Sequence, residues 1–164
     1  MKKWILVSLF VAVVGMLHAA GAHSAARHPG TSFSKPQSSS AESSGLDFEF
    51  FKSRVEPIFL KKRPQMARCY VCHEGANHAL HLVKLSPGSS FWNDEQSRQN
   101  FEVVSQLVRQ DDPAKSKLLL HPLAPEAGGD AFHSGGRQFK SKDDPDWKMI
   151  SAWAQGQRIA TSQK

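Results

Sequence analysis

Residues 69 to 73 read Cys69-Tyr70-Val71-Cys72-His73, two thiols three positions apart with an imidazole directly after the second. C-x-x-C-H is the attachment pattern of a c-type haem. The thiols are spaced to reach the two vinyl groups of one porphyrin and join them as thioethers. The histidine then offers its imidazole to the iron as proximal ligand. Cys69 and Cys72 are the only cysteines of the chain, so no thiol is left for a structural disulfide. Three other readings stand beside haem. A thiol–disulfide site wants its C-x-x-C near a βαβ pattern, whereas Phe48 to Leu60 has helical periodicity and no βαβ pattern follows. A structural zinc site needs a fourth ligand and usually a second Cys or His pair; the only close pair, His78 and His81, follows within ten residues. Chance is the third, in a chain with no other cysteine.

The elements around the motif suit export. Lys2 and Lys3 precede the uncharged apolar run Trp4 to Leu17, and Ala20-Gly21-Ala22 has the small-x-small cleavage pattern. Residues 1–22 therefore read as a secretory signal, cleaved after Ala22, with an uncleaved membrane anchor as the alternative. Covalent haem attachment takes place outside the cytoplasm in bacteria, so signal and motif support each other, and the expected compartment is the periplasm. No later segment reaches spanning length, so no membrane span is expected once the signal is removed. Residues 23–45 shift to Ser, Ala, Pro and Gly, the composition of a flexible linker. Residues 46–160 are left as one folded domain and 161–164 as a tail.

The formal charge of +6 falls by two, to +4, when Lys2 and Lys3 leave with the signal. That charge is compatible with an acidic redox partner, and no motif or aromatic interleaving supports nucleic-acid binding. The run Lys61-Lys62-Arg63 with Arg68 reads either as a solvated cluster or as a docking ring beside an exposed haem edge.

Within the domain the periodicity is helical. Phe48, Phe51, Val55, Ile58 and Phe59 share one face of a first helix, which Pro57 kinks or restarts. Residues 74–91 lack a sustained period and read as a long loop. Asn93, with Gln96 three residues on, opens a second helix as a capping box, with Phe101, Val104, Leu107 and Val108 as its apolar stripe. Asp112 and Pro113 start a short helix that Leu118, Leu119 and Leu120 pack. After a Gly-rich loop, Asp144-Pro145 opens a last helix carrying Trp147, Ile150, Trp153 and Ala154, which Gly156 ends. No strand is expected: the fold class is all-α, short helices wrapped around one covalent haem.

From about Leu46 to Gly156 the chain resembles a monohaem class I cytochrome c domain. The resemblance rests on the aromatic first helix, Cys69 to His73, two middle helices, a late loop and a Trp-bearing last helix. It implies that the terminal helices cross, bringing Phe51 and Val55 near Ile150 and Trp153. It also implies a second axial ligand from the late loop, commonly methionine. This chain departs there. Met149 falls inside the last helix, and Met66 lies too near the motif to cross to the opposite haem face. The late loop instead carries His133-Ser134-Gly135-Gly136, and the stretch Leu118 to Trp153 resembles a branch in which histidine replaces the methionine. His133 is thus the expected distal iron ligand, with His121 as its rival and an open sixth site as a further alternative. His78 and His81 come too soon after His73, and Arg137 could meet a haem propionate.

The expected function is electron transfer by one covalent haem c cycling between Fe(III) and Fe(II), with redox proteins as partners and no catalytic residues of its own. A peroxidase-like haem enzyme or sensor with an open sixth site is the alternative, as is the haem subunit of a larger exported oxidoreductase.

Overall fold

A computed structural model of the chain describes residues 45–75 and 77–160. The signal at 1–22, nearly all of the linker at 23–45 and the tail at 161–164 lie outside the described residues. Helix α1 begins as Phe48–Phe50, capped by the Asp47 carboxylate accepting from the Phe50 N–H. It widens into a π-helical turn at Phe51–Val55 and resumes as Glu56–Leu60 with Pro57 in its first turn. Proline lacks the N–H that an α-helix needs and crowds the preceding turn; here the π-helical turn just before it takes up the misfit. The helix is re-formed rather than broken. Phe50, Phe51, Val55, Ile58 and Phe59 are buried along one face.

Helix α2, Cys69–His73, is a single turn bearing the motif. Helix α3, Asp94–Ser105, opens with the expected reciprocal cap: Asn93 Oδ1 accepts from the Gln96 N–H at 2.9 Å, and Gln96 Oε1 from the Asn93 N–H at 3.1 Å. Its buried face carries Phe101 and Val104, and Val108 follows in the turn beyond. The same face presents Ser97 and Asn100 to a buried carboxylate, Glu56 of α1. Ser97 Oγ donates to Glu56 at 2.7 Å and Asn100 Nδ2 at 2.9 Å. Burial raises the Glu56 pKa against these two hydrogen bonds and the attraction of Lys52. A carboxyl raised in the folded state holds its proton more tightly than in the unfolded chain. Stability therefore falls as pH climbs from the ordinary glutamate value through the raised one. In Glu56→Gln this slope should vanish from urea midpoints measured across that range. Glu56→Ala should cost about 2–3 kcal/mol, because Ser97 and Asn100 lose their buried acceptor.

A 3₁₀ turn at Pro113–Lys115 leads to the one-turn helix α4, Lys117–Leu120. The Asp112 side chain does not cap the turn: it forms an ion pair with Lys115 at 2.9 Å, so Pro113 alone marks the start. Leu118 and Leu119 are buried, and a second 3₁₀ turn covers Pro125–Ala127. Helix α5, Pro145–Ala154, is capped by Asp144 Oδ1, which accepts from the Asp146 and Trp147 N–H groups. Gly156 follows at φ +85°, the left-handed turn expected after a helix end. Helices α1 and α5 pack through Phe51 and Trp153, ring centroids 5.2 Å apart, and Trp153 Nε1 donates to the Asp47 carbonyl at 2.9 Å. Met149 is half-buried against the core on α5, as packing requires of it. Among the described residues there is no strand, only the isolated bridges Glu74–Leu82 and Leu123–Phe139. The architecture is all-α. No described helix is long and apolar enough to cross a membrane.

The basic run is neither wholly solvated nor a free ring. Arg63 donates to Asp144 at 2.9 and 3.3 Å and also contacts Asp146, while Lys61 reaches Asp146 at 2.8 Å. The Arg63 guanidinium also lies over the Phe139 ring, 4.7 Å from its centroid. Two carboxylates at the positive end of α5 thus clamp the segment that feeds α2. At 15% exposure Arg63 is partly withdrawn from water, so the pairing exceeds a surface salt bridge in weight. Arg63→Ala should lower stability by about 2 kcal/mol, read from chemical denaturation, as charge-assisted hydrogen bonds do.

Candidate cofactor site

A cavity of about 410 Å³ opens between α2, the segment after it, α4 and the late loop, within the ~300–1,000 Å³ usual for small-molecule sites. Cys69, Cys72 and His73 line it on one side. The single turn of α2 sets Cys69 and Cys72 at i and i+3, on one face of the helix. Cys69 is half-buried and Cys72 exposed, both as free thiols. Burial pushes the Cys69 thiol up. Leu107, Leu118, Pro122, Phe139 and Ile150 supply an apolar lining.

His73 is anchored from behind. Its Nδ1 lies 2.8 Å from the Leu80 carbonyl, which can only accept, so Nδ1 carries the proton and Nε2 keeps its lone pair. Residues 74–82 fold back to supply that carbonyl: Gly75 stands at φ +103° and Leu82 N–H donates to the His73 carbonyl at 2.6 Å. The strap continues to Val83, whose N–H meets Asn100 Oδ1 and whose carbonyl takes Trp92 Nε1, and to Leu85, whose N–H meets Tyr70 Oη. Burial lowers the His73 pKa, opposed by the Leu80 hydrogen bond and reinforced by His133, His78 and His121. Neutral imidazole is the form that binds a metal.

His133 also lines the cavity, and its Nδ1 lies 2.6 Å from the Gly136 carbonyl, leaving Nε2 without a hydrogen-bond partner in the same way. The two rings are 6.2 Å apart, centroid to centroid, with planes 18° from parallel. A metal–imidazole bond is about 2.0–2.1 Å, so one iron bound in line by two imidazoles holds their centroids roughly 6.3 Å apart. The His73–His133 centroid distance equals that span, with the two rings stacked near parallel. Backbone carbonyls on both Nδ1 atoms are the usual outer support of metal-ligating histidines.

Two further histidines line the cavity. His78, read from the sequence as too close to matter, has its ring 5.6 Å from His73 at 74°. Its ring stands edge-on to that of His73, unlike the near-parallel His133. His121 lies 6.1 Å from His133 at 34° and pairs through Nδ1 with the Asp130 carboxylate. This spacing alone equals that of the first pair; only the adjoining thiols single out His73. Met66 packs against the late loop, its Sδ 3.4 Å from where a Cβ on Gly136 would stand. Sequence proximity to the motif did not keep it from that loop.

The late loop is shaped by close approach. A Cβ on Gly129 would lie 2.0 Å from the Leu123 carbonyl oxygen, so only glycine fits where the chain returns past Leu123. Leu123 and Phe139 are then bridged, with Ala124 N–H donating to the Phe139 carbonyl at 2.9 Å and Phe139 N–H to that of Pro122 at 3.0 Å. Arg137 donates to the His121 carbonyl at 2.8 Å; its guanidinium holds the loop. Among the described residues no group of three or more His, Cys, Asp or Glu side chains could hold a bare metal ion. A porphyrin supplies four nitrogens itself and asks the protein only for axial ligands. No family model, curated protein or solved structure matches this chain.

Proposed function

We propose that the chain is an exported electron-transfer protein holding one covalent haem c, similar in type to monohaem class I cytochromes c, with His73 and His133 as axial ligands. The observation that carries this reading is the pair of carbonyl-anchored imidazoles 6.2 Å apart in the cavity that Cys69 and Cys72 also line. Haem supplies an iron that changes oxidation state without leaving the site.

The residues divide the remaining work. Cys69 and Cys72 hold the porphyrin edge in register on one helical face. His73 and His133 present Nε2 lone pairs with the ring orientation set by Leu80 and Gly136, so ligand geometry need not reorganise between oxidation states. The apolar lining excludes water from the ring face. The raised Cys69 thiol also counts against a dithiol oxidoreductase, whose attacking cysteine has a lowered pKa. Lys61 and Arg63 are tied to α5, which leaves exposed Arg68 and Lys117 at the cavity rim as the cations facing an acidic redox partner.

Optical and EPR spectra of the protein, produced with export and haem attachment, test the reading. One haem c per chain, low-spin in both oxidation states, is expected. A chain that leaves the periplasm without haem, or with a high-spin ferric iron, would overturn it.

A further inference from the structure

The late loop has an arrangement that electron transfer alone does not require. Residues 131–136 make an excursion between two anchors, and both anchors stand on His121. Asp130 receives the His121 Nδ1–H on its carboxylate and donates its own N–H to the Leu120 carbonyl at 3.0 Å. Arg137 donates its guanidinium to the His121 carbonyl at 2.8 Å. Between them, the hydrogen bonds formed by 131–136 among the described residues are internal: His133 Nδ1 to the Gly136 carbonyl, and Gly136 N–H to the His133 carbonyl at 3.1 Å. Phe132 is 78% exposed, so it does not pin the loop to the core. Gly136 sits at φ +82° and touches Met66 Sδ, a flexible thioether end.

The proximal side is built differently. His73 belongs to a helix, sits beside both thiols and takes its support from a carbonyl seven residues away. That support strap is itself tied to Asn100, Trp92 and Tyr70. Local opening free energies follow the number of contacts that must break. One imidazole is fixed to the fold; the other rides on a self-contained turn.

We propose that residues 131–136 are a release element, swinging as a unit on the two feet at His121 and carrying His133 out of the cavity. The site so opened takes a small neutral diatomic ligand, carbon monoxide being the probe, because the walls that stay in place include the apolar Leu118, Pro122 and Phe139. His121 is then a positioning residue for the loop and not the distal ligand. This rests on the bis-histidine reading above.

The test is carbon monoxide binding to the reduced, haem-loaded full-length protein by stopped flow. The observed rate should rise with ligand concentration and then level off at the opening rate of the loop. Removing one foot, in Asp130→Ala or Arg137→Ala, should raise that plateau roughly tenfold, the effect of one charge-assisted hydrogen bond. The resting spectrum should stay low-spin in both variants. A low-spin resting protein that forms no adduct, or a plateau that neither variant moves, overturns the proposal alone. A high-spin resting spectrum overturns the distal-ligand reading and the proposal with it.

Discussion

Replacing both thiols, in Cys69→Ala/Cys72→Ala, should abolish covalent haem and lower the melting midpoint of the domain. Two effects add. The thioethers cannot form, so haem is removable by acid–acetone extraction. The cavity of about 410 Å³ is then without its filling. Of the apolar residues lining it, Leu118, Phe139 and Ile150 are already buried in the core and Leu107 is partly buried, so a covering ring adds burial chiefly at Leu107 and the cavity mouth. For a domain of this size the folded state is held by only about 5–15 kcal/mol. The double variant should therefore melt at a lower midpoint and less sharply than the parent, with readier proteolysis within 69–82 and 130–139. Each single variant should keep one thioether and an intermediate midpoint. A double variant that melts as sharply as the parent would show that the cavity is not completed by a covalent group.

The parts of this fold that a local signal encodes were legible in the sequence. The Asn93–Gln96 cap, the Asp144-Pro145 start and the Gly156 stop are written within four residues of where they act, and each appears at the expected place. Phe51, Trp153 and their neighbours follow from periodicity alone. What escaped depends on contacts distant in sequence. Nothing near Glu56 in the sequence announces its burial, which depends on Ser97 and Asn100, 41 and 44 positions later. Lys61 and Arg63 read as a charge cluster because nothing local announces Asp144 and Asp146. His78 was set aside on spacing, yet the positive φ at Gly75 and the Glu74–Leu82 bridge turn the chain back to the cavity. The π-helical turn is of the same kind. Pro57 signals a disturbance, and the structure absorbs it upstream, in the π-helical turn at Phe51–Val55.

In His133→Met the potential should rise by roughly 0.1–0.3 V, a fraction of the ~0.8 V over which axial ligands set haem potentials. The direction follows from the ligand: a thioether favours the ferrous state more than an imidazole does. The size depends on whether position 133 places its side chain at the iron, and the carbonyl-anchored ring 6.2 Å from His73 is the reason to expect that it does. Methionine is unbranched and reaches as far as histidine. It cannot make the hydrogen bond to the Gly136 carbonyl, so the substitution also removes the internal clasp of the 131–136 turn. His133→Ala separates the two effects. It takes away ligand and clasp together, and should give a high-spin ferric spectrum with a vacant sixth position. His121→Gln, by contrast, keeps a ligand at 133 and should remain low-spin, its potential close to that of the parent. A rise on His121→Met with none on His133→Met would exchange the two assignments. Such a result would place the more exposed imidazole, the one paired with Asp130, on the iron. The motif at Cys69 to His73 fixes one face of the site under either outcome. Only the potential, read against these variants, reports which loop residue meets the other.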